Sequence, residues 1–299
     1  MDKEQRLKLA VQKSGRLTDP SLDLLQRCGL KLSRGKDQLM GFGENMPLDI
    51  LFVRDDDIPD LVQEDVCDLG LVGLNVLEER RLELAARGAQ ARFEVLRKLD
   101  FGRCRLSLAV PEGMSFEGVG SLHGKRIATT YPFMLERFLR EANIKAEIVT
   151  LSGAVEIAPR LGRADLICDL VSTGSTLQAN HLREVLTVAE SHAVLIRTPV
   201  PLPAFKAGWV ERMLLRIDGV ERVKESKYVM LHAPRSALPA IRKLLPGSES
   251  PTIIPLEGFP ERVVVHAVCR ENVFWETLES LKQAGASSVL VLPVEKMLA

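Results

Sequence analysis

A turn rich in small hydroxyl residues offers the chain's most informative chemistry. The run from Ala164 to Leu177 predicts an apolar strand that ends near Asp169, then a turn, then a helix. Backbone N–H groups in such a turn, together with the positive end of the helix, can bind phosphate without a lysine. Gly174 lets a ligand approach the backbone, although Ser/Thr capping of an ordinary turn is the alternative. The hydroxyl donors are Ser172, Thr173, Ser175 and Thr176.

A basic turn follows the first predicted strand, Leu7 to Val11, and precedes a predicted helix. Lys13 would contribute a point charge and Arg16 a planar guanidinium, and both groups bind phosphate. A solvated basic turn is the alternative.

A third group, Arg54 with Asp55 to Asp57, follows another predicted strand. These carboxylates could bind Mg²⁺ through water, or they could be the acidic first turn of a helix.

Asp100 and Arg105 flank a predicted crossing between lobes. Asp100 could accept a hydrogen bond from an exocyclic amine and Arg105 could pair with phosphate, or the two could form an ion pair with each other.

Glu156 lies on a helix predicted from Ala154 to Leu161. A single glutamate on a helix is usually solvated, and a role at a metal is the other interpretation.

Composition excludes several classes of function. The 40 basic and 40 acidic side chains cancel, so no overall charge favours nucleic acid or a membrane surface. The five cysteines have no metal-ligand spacing and predict reduced thiols. No P-loop, dinucleotide-binding or serine-hydrolase motif is present, and no run of residues is apolar enough to span a bilayer. We therefore expect a cytoplasmic protein.

Alternating strand and helix patterns predict an α/β fold with two lobes and a ligand between them. The first lobe is predicted to comprise residues 1–104 and 185–225, and the second residues 105–184. Residues 226–299 predict a separate domain in βαββαβ order, which is typical of the ferredoxin-like motif.

Seven motifs spread along nearly the whole chain resemble the long form of ATP phosphoribosyltransferase, the first enzyme of histidine biosynthesis. The C-terminal segment 285–293 also fits the extra domain of the long form. The resemblance implies a periplasmic-binding-protein-like catalytic core and a regulatory C-terminal domain. The motifs are Gln12–Leu17, Glu44–Pro47, Arg54–Pro59, Asp68–Gly70, Arg126–Thr129, Gly153–Glu156 and Asp169–Leu177.

The resemblance implies that N1 of the ATP adenine attacks C1 of 5-phosphoribosyl-1-pyrophosphate, with Mg²⁺ required and pyrophosphate released. Asp169 and the turn 172–176 would then bind the sugar donor. Lys13 and Arg16 would neutralise the leaving group, and Glu156 would face the metal. Related phosphoribosyltransferases often have two adjacent acids in this motif, whereas Cys168 precedes Asp169 here. The predicted ATP-binding residues are Arg16, Arg54, Asp100 and Arg105.

The resemblance further implies inhibition by L-histidine at the C-terminal domain, and a homo-oligomer that changes between dimer and hexamer. His232, Thr252 and Ala286 would be the effector-binding residues. Two other functions remain open from the residues: a non-catalytic small-ligand binder, and a phosphoribosyltransferase that acts on another base.

Overall fold

The computed structural model describes residues 5–35, 38–223, 226–245, 250–270 and 275–297. The chain divides into two compact units, Met1–Gly208 and Trp209–Ala299. The predicted boundary between 225 and 226 falls at Glu225, which lies outside the described residues, so this domain limit stays a prediction.

The first unit contains two sheets, each with its own apolar core. Its strands are β1 (Leu7–Gln12), β2 (Leu32–Ser33), β3 (Met40–Gly43), β4 (Leu48–Val53), β5 (Leu69–Gly73), β6 (Glu94–Lys98), β7 (Cys104–Pro111), β8 (Arg126–Thr129), β9 (Glu147–Thr150), β10 (Leu166–Val171), β11 (Leu182–Ser191) and β12 (Ala193–Arg197). Its helices are α1 (Thr18–Arg27), α2 (Ile58–Gln63), α3 (Leu74–Ala86), α4 (Pro132–Glu141) and α5 (Ser175–Ala179), and α6 (Ala204–Glu221) begins in this unit and ends in the second.

Among the described residues, the first sheet has the strand order β2-β3-β4-β1-β5-β12-β6 and the second has β11-β7-β10-β8-β9. We call the part of the chain built on each sheet a lobe. β1 is parallel to β4 and β5, and β8 is parallel to β9 and β10, so ligand-binding turns are expected where these strands end. The chain crosses between the lobes after β6 and again at His192.

The second crossing comes later in the chain than the sequence indicated. Residues 185–191 were expected in the first lobe, but β11 pairs with β7 as far as Ser191. The strand continues because its half-buried side chains Val185, Leu186 and Val188 pack against the core of the second sheet.

The second unit has the predicted βαββαβ order. Its elements are β13 (Ser226–Pro234), α7 (Leu238–Leu244), β14 (Thr252–Leu256), β15 (Phe259–Arg270), α8 (Trp275–Gln283) and β16 (Ser287–Pro293). The strand order is β14-β15-β13-β16, and alternate residues such as Val229, Leu231 and Val265 form its core.

The predicted helix from Ala154 to Leu161 was wrong. Only residues Val155–Ile157 form a 3₁₀ turn, which Ala154 enters with a left-handed φ of 51°. The helix cannot continue because Pro159 has no N–H to donate to the preceding turn.

All five cysteines are buried and unpaired, as predicted. None of the described helices is long and apolar enough to cross a membrane.

Candidate functional site between the two lobes

The turn after β1 is held in shape by Gln12. Its side-chain carbonyl accepts from Leu17 N–H at 3.1 Å, and its backbone carbonyl accepts from the Thr18 hydroxyl at 3.0 Å. Gly15 has φ 135°, and a Cβ there would lie 2.6 Å from Gln12 Nε2. The turn is therefore closed on its inner side, and Lys13 and Arg16 are exposed on its outer side.

The turn after β10 is open. Gly174 has φ 83°, and nothing lies within 4 Å of the position that a Cβ would take. The hydroxyls of Thr173 and Ser175 lie 3.1 Å apart, and all four predicted hydroxyl donors are exposed. The following helix α5 has only five residues and therefore a weak dipole. The backbone N–H groups and hydroxyls of the turn are then the main groups that could donate to an anion.

Asp169 lies inside β10 and not at its end, and its Oδ1 accepts from Leu170 N–H at 2.8 Å. Burial raises the pKa of this carboxyl, the charge of Glu156 raises it further, and the charge of Arg16 lowers it. Because Arg16 belongs to the first lobe and Asp169 to the second, these charges act on each other across the cleft.

Cys168 cannot replace the second acid of related motifs. Its side chain is fully buried, and burial together with the charge of Asp169 raises the pKa of the thiol. The thiol is neutral at ordinary pH, so Asp169 is the acid that the strand presents.

Arg105 is held by the second lobe. Its Nε and Nη2 each donate to the Glu184 carboxylate at 2.5 Å, and its Nη1 donates to the Ser172 carbonyl at 3.3 Å. Asp100 accepts from Arg103 Nη2 at 2.5 Å. The alternative ion pair between Asp100 and Arg105 is therefore wrong, since each has a different partner. Arg105 stabilises the turn after β10 through its hydrogen bond to the Ser172 carbonyl.

A cavity of about 500 Å³ lies between the lobes. It is bordered by Arg54 and Asp55 after β4, by Tyr131 after β8 and by Ser152 after β9. Burial raises the pKa of Tyr131, and the charges of Asp55, Asp56 and Asp169 act in the same direction. Residues of both lobes therefore line this cavity.

Sequence reasoning missed Tyr131 and Glu79 in this cavity wall. Tyr131 could have been found, because it closely follows the predicted strand that ends at Thr129 and the carboxyl ends of parallel strands bind ligands. Glu79 had no such signal, because it lies in the middle of α3.

No group of three or more His, Cys, Asp or Glu side chains forms a metal-binding cluster within the described ranges. The charge of Glu156 raises the pKa of Asp169, and two carboxylates that affect each other in this way provide oxygen ligands of the kind that Mg²⁺ takes.

The three predicted effector residues are not all adjacent. His232 pairs in the sheet with Ser287, which follows the buried Ala286. Thr252 is exposed and lies on β14, at the opposite edge of the sheet, where it pairs with His266.

The fold and the cleft define a two-lobed α/β protein with an anion-binding pattern between its lobes. The family model described as "ATP phosphoribosyltransferase" matches residues 54–219, and the model described as "HisG, C-terminal domain" matches residues 224–296. The chain therefore belongs to the ATP phosphoribosyltransferase family, in its long form. It is a pentosyltransferase of histidine biosynthesis.

Solved structures of other proteins also resemble this chain. A chain of the "ATP phosphoribosyl transferase (HisG:HisZ) complex from Thermotoga maritima" is 26% identical, with a TM-score of 0.58 over 71% of this chain and 98% of that one. The alkanesulfonate-binding protein SsuA from Xanthomonas axonopodis pv. citri is 17% identical, with a TM-score of 0.46 over 74% of this chain and 75% of that one. The predicted α/β fold, with a two-lobed core and a ferredoxin-like C-terminal domain, is confirmed by the two sheets of the first unit and the βαββαβ order of the second.

Proposed function

We propose that the protein joins ATP to 5-phosphoribosyl-1-pyrophosphate. N1 of the adenine forms a bond to C1 of the ribose while the bond from C1 to the pyrophosphate oxygen breaks. The products are N1-(5-phospho-β-D-ribosyl)-ATP and pyrophosphate. The observation that carries this proposal is the open turn at Gly174 with its four exposed hydroxyl side chains, preceded by Asp169, whose carboxyl feels the charge of Arg16 from the other lobe.

The sugar donor would bind in the second lobe. The backbone and hydroxyls of the turn from Ser172 to Thr176 would hold its 5-phosphate, because the space above Gly174 is open. Asp169 would accept hydrogen bonds from the ribose hydroxyls. Burial raises the pKa of this carboxyl, while the Leu170 N–H and the charge of Arg16 oppose the rise.

The leaving pyrophosphate would face the first lobe. Lys13 and Arg16 are exposed on the turn after β1, where their charges would neutralise the oxygens that gain charge as the bond to C1 breaks. Mg²⁺, when bound to the pyrophosphate, would add to this neutralisation, and Glu156 and Asp169 are the carboxylates that would face it. No covalent intermediate is needed, because the two substrates only have to be aligned.

ATP would bind at the cavity beside Arg54, which borders it. Arg16 would reach the ATP phosphates from the first lobe, and Asp100 would accept from the adenine amine. Arg105 would act through the turn, because its guanidinium is already engaged by Glu184 and the Ser172 carbonyl.

We further propose that L-histidine inhibits the enzyme through the C-terminal domain, and that the protein is a cytoplasmic homo-oligomer that changes between dimer and hexamer. The position of His232 beside Ser287 and Ala286 supports these residues as one part of an effector site. Thr252 would need a second contact region at the other edge of the sheet.

The test measures pyrophosphate release from the purified full chain with Mg²⁺ and 5-phosphoribosyl-1-pyrophosphate. The acceptor is ATP, another nucleobase, or none. Release that depends on ATP, with a product carrying ribose on N1, is the expected result. Release with another base and not with ATP would contradict the acceptor, and tight donor binding without turnover would favour a ligand-binding protein.

A further inference from the structure

Helix α3 of the first lobe reaches the amino end of helix α4 in the second. Glu79 Oε1 accepts from Phe133 N–H and Glu79 Oε2 accepts from Met134 N–H, each at 2.8 Å. The amino end of a helix attracts anions, because its first N–H groups have no partner within the helix. A carboxylate from the other lobe takes this place here.

A second set of hydrogen bonds links α3 and the residue before α4 to the point where the chain crosses between the lobes for the second time. Asn75, near the start of α3, donates from Nδ2 to the Tyr131 hydroxyl at 2.8 Å. Its Oδ1 accepts from the Ser191 hydroxyl at 2.7 Å, and its N–H donates to the same hydroxyl at 2.9 Å. Asn75 and Ser191 are both buried, and Ser191 ends the strand that leads into the second crossing.

The chain before Asn75 also accommodates this network. A Cβ at Gly73 would lie 2.5 Å from Asn75 Oδ1, although the φ of Gly73 is ordinary for any residue. A glycine at 73 therefore keeps space for the amide and is not needed for the backbone conformation. An unpaired buried polar group lowers the stability of the fold. Loss of Asn75, Tyr131 or Ser191 would therefore leave a polar atom of another of these residues without its hydrogen-bond partner.

We propose that Glu79, Asn75, Tyr131 and Ser191 form an inter-lobe clasp that sets the opening of the substrate cleft. The clasp residues are positioning residues, and the inference rests on the proposed function only for its effect on catalysis. Glu79 and Tyr131 also border the cavity between the lobes, so the clasp forms one wall of the site that it holds. Loss of the clasp would let the lobes move apart when no substrate is bound.

The expected kinetic effect follows from the population of the closed cleft. A ligand that needs both lobes binds more weakly in proportion to the fraction of closed protein, while saturating substrates restore that fraction. Glu79→Ala is expected to raise KM for both substrates about fivefold and to leave kcat within about twofold. Glu79→Gln keeps one acceptor for the two N–H groups and is expected to give an intermediate KM.

A distance measurement tests the clasp without any substrate. Spin labels on Asp23→Cys in α1 and Glu141→Cys at the end of α4 report the separation of the lobes, because both positions are exposed and the native cysteines are buried. Pulsed electron spin resonance should give one narrow distance distribution for the parent. It should give a broader or longer one for Glu79→Ala and for Tyr131→Phe, which removes only a hydroxyl. Glu136→Gln, an exposed glutamate on α4, is the matched control and should leave the distribution narrow.

Unchanged distributions in Glu79→Ala and Tyr131→Phe would overturn the clasp, and so would a fall in kcat at constant KM. If Glu79→Ala does not fold, Glu79→Gln and Tyr131→Phe decide the question. A broadened distribution in a protein that releases no pyrophosphate would support the clasp and contradict the proposed function, so the two can fail separately.

Discussion

The turns after β1 and β10 have the same order of elements, but they differ in whether the protein fills the space around the glycine. Each follows a strand, contains a glycine with positive φ and leads into a helix. Behind Gly15 the side chain of Gln12 fills the turn, 2.6 Å from where a Cβ would be. Around Gly174 nothing lies within 4 Å of that position. The first glycine therefore serves packing within the chain, and the second leaves space for a ligand.

The comparison separates two uses of one sequence pattern. A glycine after a strand indicates a turn in both lobes, but only the structure shows whether the protein itself occupies the turn. Under the proposed function, the exposed cations of the first lobe would act on the leaving group, and the open backbone of the second would bind the phosphate of the sugar donor.

The largest effect is expected at the acid that faces both turns. Asp169→Asn keeps an acceptor for Leu170 N–H but removes the charge that Arg16 and the ribose would meet. We expect kcat/KM for the sugar donor to fall about 10²- to 10³-fold, as when one preorganised polar group is removed from a reaction centre. Steady-state kinetics would measure the fall in kcat/KM, and an unchanged circular dichroism spectrum would show that the variant is folded. Activity within threefold of the parent would remove Asp169 from the site.

The two glycines should respond differently to a methyl group: Gly15→Ala mainly in stability, and Gly174→Ala mainly in donor binding. Gly15→Ala meets Gln12 and a forbidden φ, so the free energy of unfolding should fall by about 2 kcal/mol. Gly174→Ala has space and only the strain of a left-handed φ, which costs about 1 kcal/mol. It should nevertheless weaken donor binding, because the methyl group occupies the space of the phosphate.

Urea unfolding and calorimetric titration with 5-phosphoribosyl-1-pyrophosphate measure these two quantities. A greater loss of stability in Gly174→Ala, or unchanged donor affinity in that variant, would contradict the assignment of the open turn.

Removal of one hydroxyl from the open turn should have a smaller effect. Thr176→Val keeps the shape of the side chain and loses one hydrogen bond to phosphate, so kcat/KM for the donor should fall about tenfold. Thr187→Val, at an exposed position of β11, is the matched control and should not change it. Equal kinetics for both valine variants would exclude the Thr176 hydroxyl from donor binding.

The smallest expected effect is the pH dependence of stability. The folded pKa of Asp169 is raised, chiefly by burial, so the folded protein holds this proton more tightly than the unfolded chain. Its contribution to stability is therefore lost as pH rises from the unfolded pKa through the folded pKa. Asp169→Asn should stabilise the protein slightly at pH 7 relative to the parent, with the gain disappearing below pH ~4. A parent protein that is more stable than Asp169→Asn at pH 7 would contradict this prediction.

The sequence predicted those parts of the site that depend on local pattern. Apolar runs followed by glycine and hydroxyl residues located the turns at Gly15 and Gly174, because backbone conformation there is decided by neighbouring residues. The helix around Glu156 was wrong because the effect of Pro159 on the preceding turn outweighed the apolar spacing.

Contacts between distant residues could not be predicted in this way. Arg105 was expected at phosphate, and its partner Glu184 lies on a strand that the sequence could not pair with β7. Glu79 resembled any helix glutamate until the fold brought α4 to it. Such partners depend on the register and packing of whole elements, which local spacing does not encode.

A double-mutant cycle between Arg16 and Asp169 tests the central claim most directly, since it asks whether the two lobes act together on one sugar donor. kcat/KM for 5-phosphoribosyl-1-pyrophosphate would be measured for the parent, Arg16→Ala, Asp169→Asn and the double variant. We predict a coupling free energy of at least about 0.5 kcal/mol, because the charges of Arg16 and Asp169 act on each other. Additive effects within about 0.3 kcal/mol would show that the residues act independently, and would contradict a shared site between the lobes.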